Sequence, residues 1–159
     1  MADAVTVDTG PLIALERMNA LNLPRDLPFQ FFCPDEVKHE IYRGRKLGYP
    51  DIHPEWLNVT SLKTPLSTLV TSSLDKGEAA VIQLALDMET EWVCIDEWKG
   101  RRVALASRLK VVGSLGLLAK AKQLGIIHTI GPYIEKAQNQ GIRYDTRLTN
   151  RILEHVGEL

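Results

Sequence analysis

The stretch AVTVDTGPLIAL, residues 4–15, places a strand pattern, a carboxylate and a helix start in direct succession. Val5 and Val7 predict a buried strand, and Pro11 suits the first turn of a helix, where its missing N–H costs nothing. Asp8 lies between them, a charge at the end of a buried strand. In parallel α/β sheets, ligands bind outside the carboxyl ends of the strands, near the topological switch point. The position of Asp8 therefore makes it a candidate functional residue.

Outward from this stretch, apolar strand-like runs alternate with helical patterns along the whole chain. The further strands are predicted at residues 29–33, 56–62, 92–95 and 111–112. The helices are predicted at residues 11–18, 34–46, 75–88, 100–109, 114–124, 131–140 and 145–156, with one more turn within 65–74. This alternation predicts an α/β fold, a parallel sheet of about four to five strands flanked by helices on both faces. Since no repeat or linker interrupts the pattern, we expect a single domain over residues 1–159.

Composition limits the classes of function. The formal net charge is −1 and the isoelectric point about 6.4, so any site for a polyanion has to be a local basic patch. Cys33 and Cys94 lie in apolar runs without a Cys/His metal spacing, which predicts buried, reduced thiols of a cytoplasmic protein. No run approaches the roughly 18–20 apolar residues of a membrane span, so no membrane partner is expected.

Four carboxylates occupy comparable places in this pattern. Asp96 ends the strand WVCID as Asp8 ends VTVD, Glu40 lies on the second helix, and Glu78 lies in the first turn of the helix at 75–88. Parallel strands that end side by side would bring Asp8 and Asp96 together. Converging carboxylates repel one another unless a hard cation neutralises them, and an all-oxygen site favours Mg²⁺ or Mn²⁺ over zinc.

The two strand-end acids have a structural alternative. Asp8 could form an Asx turn or cap the helix that contains Pro11. Asp96 could cap the helix predicted to begin at Gly100, or simply end its strand. Neither acid alone is strong evidence for a metal site, whereas two acids that end separate strands are stronger evidence.

The two helical acids also have an alternative. Glu40 could be a solvated residue that interacts with Arg43 one turn further along. Glu78 belongs to the sequence DKGE, a capping-box arrangement in which Asp75 caps the helix and Glu78 is the third helical residue. On spacing alone, capping explains Glu78 better than metal binding does.

Five blocks of the sequence, taken together and in this order, resemble the PIN-domain nucleases. The blocks are VTVDTGPLIAL, CPDEVKHEI, DKGEAAVIQLAL, CIDEWKGRRVA and VVGSLGLLAKAKQLGII. They span residues 5–127, which is most of the chain, and are most similar to the toxin-like PIN proteins with a Gly-Glu third motif. The resemblance implies a parallel sheet, acids that hold Mg²⁺ or Mn²⁺, and hydrolysis of phosphodiester bonds, usually in RNA.

Matched motif by motif, the resemblance implies that Asp8, Glu40, Glu78 and Asp96 are the catalytic, metal-binding acids. Thr9 matches the small hydroxyl residue after the first acid and is a candidate substrate contact. The chain departs from the family pattern at Trp98, where many PIN nucleases have an acidic or small polar residue two positions after the fourth acid.

A basic cluster of Lys99, Arg101 and Arg102 follows Asp96 closely. These residues are candidates for holding substrate phosphates beside the acids, and a solvated helix start is the alternative. Trp98 is expected in the core or at an interface, with contact to a base as its alternative.

The leading hypothesis is therefore a Mg²⁺- or Mn²⁺-dependent endoribonuclease of PIN type. Its expected partners are RNA, a cognate antitoxin if the chain is the toxin of a toxin–antitoxin pair, and a second copy in a homodimer. The main alternative is a catalytically weak PIN-like module that binds nucleic acid or regulates. A phosphotransfer enzyme of haloacid-dehalogenase type is disfavoured because Gly10 stands where its second aspartate would be.

Overall fold

The fold is described by a computed structural model covering residues 3–159, the side chains of residues 69 and 70 apart. The strands within this range are β1 Asp3–Val7, β2 Phe29–Cys33, β3 Leu57–Val59, β4 Trp92–Cys94 and β5 Lys110–Val112. The α-helices are α1 Thr9–Arg17, α2 Asp35–Lys46, α3 Thr68–Ser73, α4 Lys76–Asp87, α5 Trp98–Ala106, α6 Ser114–Gln123, α7 Gly131–Asn139 and α8 Thr146–His155.

The strands of the described chain form one five-stranded sheet in the order β3-β2-β1-β4-β5, and every neighbouring pair is parallel. β1 is central: Val5 pairs with Phe31 of β2 on one side and with Trp92 of β4 on the other. The chain runs outward from β1 to β3, then returns to β4 and runs outward again, so the switch point lies between β1 and β4. The predicted α/β class and parallel sheet are confirmed.

Helix boundaries follow local sequence signals. Pro34 is the N-cap of α2, and the Asp75 and Asp145 side chains accept capping hydrogen bonds from the first turns of α4 and α8. The first helix begins at Thr9, two residues before its predicted start, and a short 3₁₀ helix at Leu23–Asp26 was not predicted.

The core lies between the sheet and its helices. Phe31 of β2 is 1% exposed and contacts Trp56 edge to face at 5.2 Å between ring centroids. Cys33 and Cys94 are buried free thiols, as predicted. No helix among the described residues is long and apolar enough to cross a membrane.

The last helix packs partly on this core. Ile152 and Val156 of α8 contact the core cluster, whereas Leu148 is exposed. The amphipathic pattern of α8 is thus mostly used within the chain.

Candidate functional site

The carboxyl ends of β1 and β4 lie side by side, and Asp8 and Asp96 follow them. Val7 pairs with Cys94, and the backbone N–H of Asp8 donates to the Cys94 carbonyl at 3.0 Å. Because all the strands are parallel, both acids lie at the same edge of the sheet, at its switch point. The predicted juxtaposition of the two strand ends is confirmed.

Asp8 is buried and carries a strongly perturbed carboxyl group. Burial raises its pKa from 3.8 to about 7, the N–H of Thr9 opposes the rise, and the charges of Glu40, Asp75 and Asp96 add to it. Asp8 has the N-cap position of α1, yet no capping hydrogen bond to its side chain exists among the described residues. Capping therefore does not account for this carboxylate.

Glu40 turns toward Asp8 rather than into solvent. The hydroxyl of Thr9 donates to Glu40 Oε2 at 2.8 Å, so the residue after the first acid holds the second. Burial raises the Glu40 pKa; the Thr9 hydrogen bond lowers it, the Asp75 charge raises it, and Arg43 is a smaller opposing influence. The interpretation of Glu40 as a fully solvated side chain is wrong, although the charge of Arg43 does act on it.

Glu78 is 5% exposed, and its carboxylate is incompletely satisfied. The helix cap predicted from the DKGE motif is present, because Asp75 Oδ1 accepts a hydrogen bond from the Glu78 N–H at 2.8 Å. In the described part of the chain, however, Glu78 Oε2 has no hydrogen-bond partner. Burial, then Asp75, Asp8 and Glu97, raise the Glu78 pKa to about 8. Capping explains Asp75 but not the Glu78 carboxylate.

Asp96 is held at the start of α6. Its Oδ1 accepts from the Ser114 N–H at 2.7 Å and its Oδ2 from the Ser114 hydroxyl at 2.8 Å. Ser114 Oγ also lies 2.7 Å from the hydroxyl of Tyr144. Burial raises the Asp96 pKa, while Ser114 and Arg101 lower it. The N-cap of α5 is Glu97, so the alternative that Asp96 caps this helix is wrong.

Three glycines make room for three of these carboxylates. A Cβ added to Gly77 would lie directly against Glu40 Oε1, and one added to Gly100 would lie 2.5 Å from Glu78 Oε2. One added to Gly113 would lie 2.6 Å from Asp96 Oδ1. Real Cβ atoms essentially never approach that closely. Each carboxylate thus packs against backbone of another segment, a placement that any side chain at the glycine would disturb.

The site includes an acid that the sequence indicated only as a helix cap. The charge of Asp75 raises the pKa values of Asp8, Glu40 and Glu78, which places Asp75 within the same electrostatic cluster. The capping motif concealed this second role, since nothing in local spacing shows what the N-terminus of α4 faces.

The donor chemistry of the cluster fits a hard cation. Every candidate ligand is a carboxylate oxygen, which Mg²⁺ and Mn²⁺ prefer. Burial raises the pKa of Glu78, and in the described structure its Oε2 has no hydrogen-bond partner, so the protein alone stabilises the ionised form of this acid poorly. Within residues 3–159, no three His, Cys, Asp or Glu side chains stand in the arrangement of a formed metal site. Glu40 and Asp96 are instead engaged by Thr9 and Ser114.

The predicted basic cluster divides into two parts. Arg101 is half-buried, donates to the Ile95 carbonyl at 2.9 Å and lines a groove beside Asp96. Lys99 and Arg102 are exposed and are not among the residues that line this groove. Trp98 is 68% exposed and lines it, so its expected burial in the core is wrong.

The groove also has a basic wall that the sequence interpretation missed. It encloses about 940 Å³, and Arg143, Arg147 and Arg151 are among its lining residues. The spacing of four between Arg147 and Arg151 was a visible helical signal in the sequence. That they line the same groove as Asp96 depends on how α8 packs, which local spacing does not show.

Comparison with known proteins gives a family. The family model DUF3368, described as a PIN domain, matches residues 4–158, which include all the carboxylates above and the groove. No curated protein and no solved structure matches the chain.

Proposed function

We propose that this chain, which belongs to the PIN-domain family, is a Mg²⁺- or Mn²⁺-dependent endoribonuclease. PIN domains are generally nucleases. The observation that carries the proposal is Glu78: among the described residues its buried Oε2 has no hydrogen-bond partner, and the neighbouring Asp8 has a pKa raised to about 7. Two neighbouring buried acids are unfavourable as anions unless a cation joins them.

Asp8, Glu78 and Asp96 are the residues that would hold the ion, with Glu40 close by. Mg²⁺ is usually bound through one or two carboxylates, and this cluster offers at least that many. A bound ion would lower the pKa of a water and neutralise charge on the attacked phosphate.

The surrounding residues keep the acids in place. Thr9 orients Glu40, and Ser114 fixes both oxygens of Asp96 through its N–H and hydroxyl. Arg101 lines the groove together with Asp96, and we propose that its guanidinium binds a substrate phosphate there. Substrate contacts from Thr9, Lys99 and Arg102 remain predictions.

A second candidate is a PIN-like module that binds nucleic acid and cleaves weakly. One observation favours it: the described carboxylates do not stand as a formed metal site, because Thr9 and Ser114 engage two of them. In that case RNA would bind in the groove and the acids would serve regulation.

The biological setting is also a proposal. The resemblance of the sequence to toxin-like PIN proteins supports a role as the toxin of a toxin–antitoxin pair in the cytoplasm, with a cognate antitoxin as partner. Trp98 and Leu105 of α5 are exposed, 68% and 56% respectively, and give a second copy or an antitoxin an apolar surface. Light scattering of the purified protein tests the homodimer.

The decisive experiment compares RNA cleavage with Mg²⁺, with Mn²⁺ and with EDTA. Labelled single-stranded RNA should be cut by wild type with either metal and left intact with EDTA. Glu78→Gln keeps the size of the side chain but removes its charge, and should abolish cutting. Glu135→Gln, an exposed change on α7, is the matched control and should cut normally. Unchanged cleavage by Glu78→Gln, or cleavage in EDTA, would contradict the proposal.

A further inference from the structure

The groove beside Asp96 has two walls of different origin. Trp98 and Arg101 of α5 form one wall, residues of the C-terminal segment 141–152 form another, and residues of α1, β5 and α6 complete the lining. Asp96 is also part of the lining, so the groove reaches one carboxylate of the acidic site. We call it the C-terminal groove.

The C-terminal wall carries positive charge that the protein does not neutralise. Arg143, Arg147 and Arg151 are exposed, and none of them forms an ion pair within 4.0 Å in the part of the chain that the structure describes. The nearby acid Asp145 accepts a hydrogen bond from the backbone N–H of Arg147 and caps α8. Arg147 and Arg151 are one helical turn apart, about 6 Å along the axis.

This wall is tied directly to the acidic site. The Tyr144 hydroxyl lies 2.7 Å from Ser114 Oγ, which donates to Asp96 Oδ2 at 2.8 Å. Tyr144 belongs to the same segment as the three arginines. The position of the basic wall is therefore fixed relative to a carboxylate of the cluster.

We propose that the C-terminal groove binds a single RNA strand flanking the phosphate at the carboxylates, a proposal that rests on the proposed function. Arg147 and Arg151 contact successive stretches of the sugar-phosphate backbone, since guanidinium groups bind phosphate oxygens in pairs. Trp98 stacks on an unpaired base from the opposite wall. An exposed aromatic favours a single strand, because bases of a duplex are already stacked.

In this proposal the occupant of the C-terminal groove is RNA and not a segment of protein. An acidic peptide would also meet the three arginines, but it would make no use of the contact with Asp96 and would offer Trp98 no base to stack on. The test below treats peptide binding as a competing outcome.

The experiment measures binding without cleavage. Fluorescein-labelled single-stranded RNA of about 12 nucleotides is titrated in EDTA at several NaCl concentrations, with wild type and with the double variant Arg147→Gln/Arg151→Gln. Each phosphate contact contributes about 0.7 to the salt slope for a single strand. Loss of two contacts should reduce the slope of log Kd against log salt by about 1.4. Between 50 and 200 mM salt the Kd of the variant should therefore rise by a factor about sevenfold smaller than that of wild type.

The matched control is the double variant Arg25→Gln/Arg108→Gln. Arg25 precedes β2 and Arg108 precedes β5, so both exposed residues lie at the amino edge of the sheet, away from the carboxylates. It removes the same charge and should keep the wild-type slope. Poly-glutamate is titrated in parallel as the acidic-peptide probe.

Three outcomes would overturn the proposal. The salt slope and the Kd could be unchanged in Arg147→Gln/Arg151→Gln, or the control variant could lose as much RNA affinity as the test variant. Wild type could also fail to bind RNA. Loss of poly-glutamate binding with RNA binding intact would overturn it in favour of a peptide site. Cleavage by wild type in Mg²⁺ is scored separately. If wild type fails to cleave but the variant loses RNA binding, the ribonuclease proposal fails and the groove stands. If wild type cleaves and the variant binds normally, the groove fails alone.

Discussion

Replacement of Asp8 by asparagine removes a charge that the fold buries next to other acids. Asparagine keeps the size and an acceptor oxygen, so an N-cap or Asx-turn role would survive. It removes the negative charge that a hard divalent ion requires. We therefore expect Asp8→Asn to fold, to be more stable than wild type without metal, and to lose metal binding and cleavage.

The size of the stabilisation follows from the pKa of Asp8. Asp8 is 6% exposed, and its pKa is raised from 3.8 to about 7, first by burial and then by the charges of Glu40, Asp75 and Asp96. Each pH unit corresponds to about 1.4 kcal/mol, so ionised Asp8 lowers the free energy of unfolding by about 4 kcal/mol above about pH 7. At about 2–4 °C per kcal/mol for a protein of this size, the variant should melt roughly 10 °C higher.

The two pKa values of Asp8, in the unfolded and the folded protein, determine how its contribution to stability changes with pH. The unfolded chain releases the Asp8 proton near pH 3.8 and the folded protein near 7. Between these values the folded state holds the extra proton, so this contribution is complete below about 3.8 and is lost as the pH rises to about 7. The difference in melting temperature between Asp8→Asn and wild type should be small near pH 4 and largest near pH 8.

The assay combines thermal melts from pH 4 to 8, with EDTA or with Mg²⁺ or Mn²⁺, and RNA cleavage in the same buffers. At pH 8 metal should raise the melting temperature of wild type but not of Asp8→Asn. The exposed Asp26→Asn change is the control and should behave as wild type. A variant that keeps the wild-type pH profile, the metal-dependent rise and full cleavage would refute the claim that Asp8 binds the ion.

Two further substitutions test how the carboxylates are held. Gly100→Ala places a methyl group 2.5 Å from Glu78 Oε2, so it should lower the free energy of unfolding by about 1–3 kcal/mol despite the better helix propensity of alanine, as measured by urea denaturation. It should also remove the metal-dependent rise in melting temperature. Ser114→Ala takes the hydroxyl from Asp96 Oδ2, which should cost about 1–3 kcal/mol and weaken Mn²⁺ binding by calorimetry. A methyl group added by Gly10→Ala would meet no atom of the described structure within 4 Å, so this variant should be neutral or slightly stabilising. Ser107→Ala at the C-cap of α5 should leave Mn²⁺ affinity unchanged. Equal effects of test and control variants would contradict these assignments.

The placement of Asp8 and Asp96 was predictable from sequence because it depends on short-range patterns and one topological rule. Apolar runs broken by proline and glycine predict strands and helices, and their alternation predicts a parallel sheet. In such a sheet all strands end at one edge. The amino-acid sequence alone therefore predicts that Asp8 and Asp96 lie at one edge of the sheet. The strand order of the structure, in which Val7 pairs with Cys94, makes their strands neighbours there.

The partners of the helical acids could not be predicted in this way. The contact of Glu40 with Thr9 and its packing against Gly77 depend on how α2 lies on α4, which local spacing does not encode. Similarly, Arg147 and Arg151 share a helical face in the sequence, but only the docking of α8 through Tyr144 turns that face toward Asp96. Long-range packing decided these features.

The three glycines let three of the acids pack against the N-termini of helices. Each lies at the N-terminus of a helix, Gly77 in α4, Gly100 in α5 and Gly113 before α6. Each accommodates a carboxylate from another segment of the chain.

Helix N-termini offer free N–H groups and a partial positive charge, which stabilise an anion nearby. Asp96 is stabilised in this way, since it accepts a hydrogen bond from the first N–H of α6. A hydrogen bond from the Gly77 backbone likewise lowers the pKa of Glu40. Glu78 lies against Gly100 yet leaves Oε2 without a partner in the described structure. The backbone thus offsets part of the charge of Glu40 and Asp96, while the uncompensated remainder is concentrated at Glu78 and Asp8, where a divalent ion has the most repulsion to relieve.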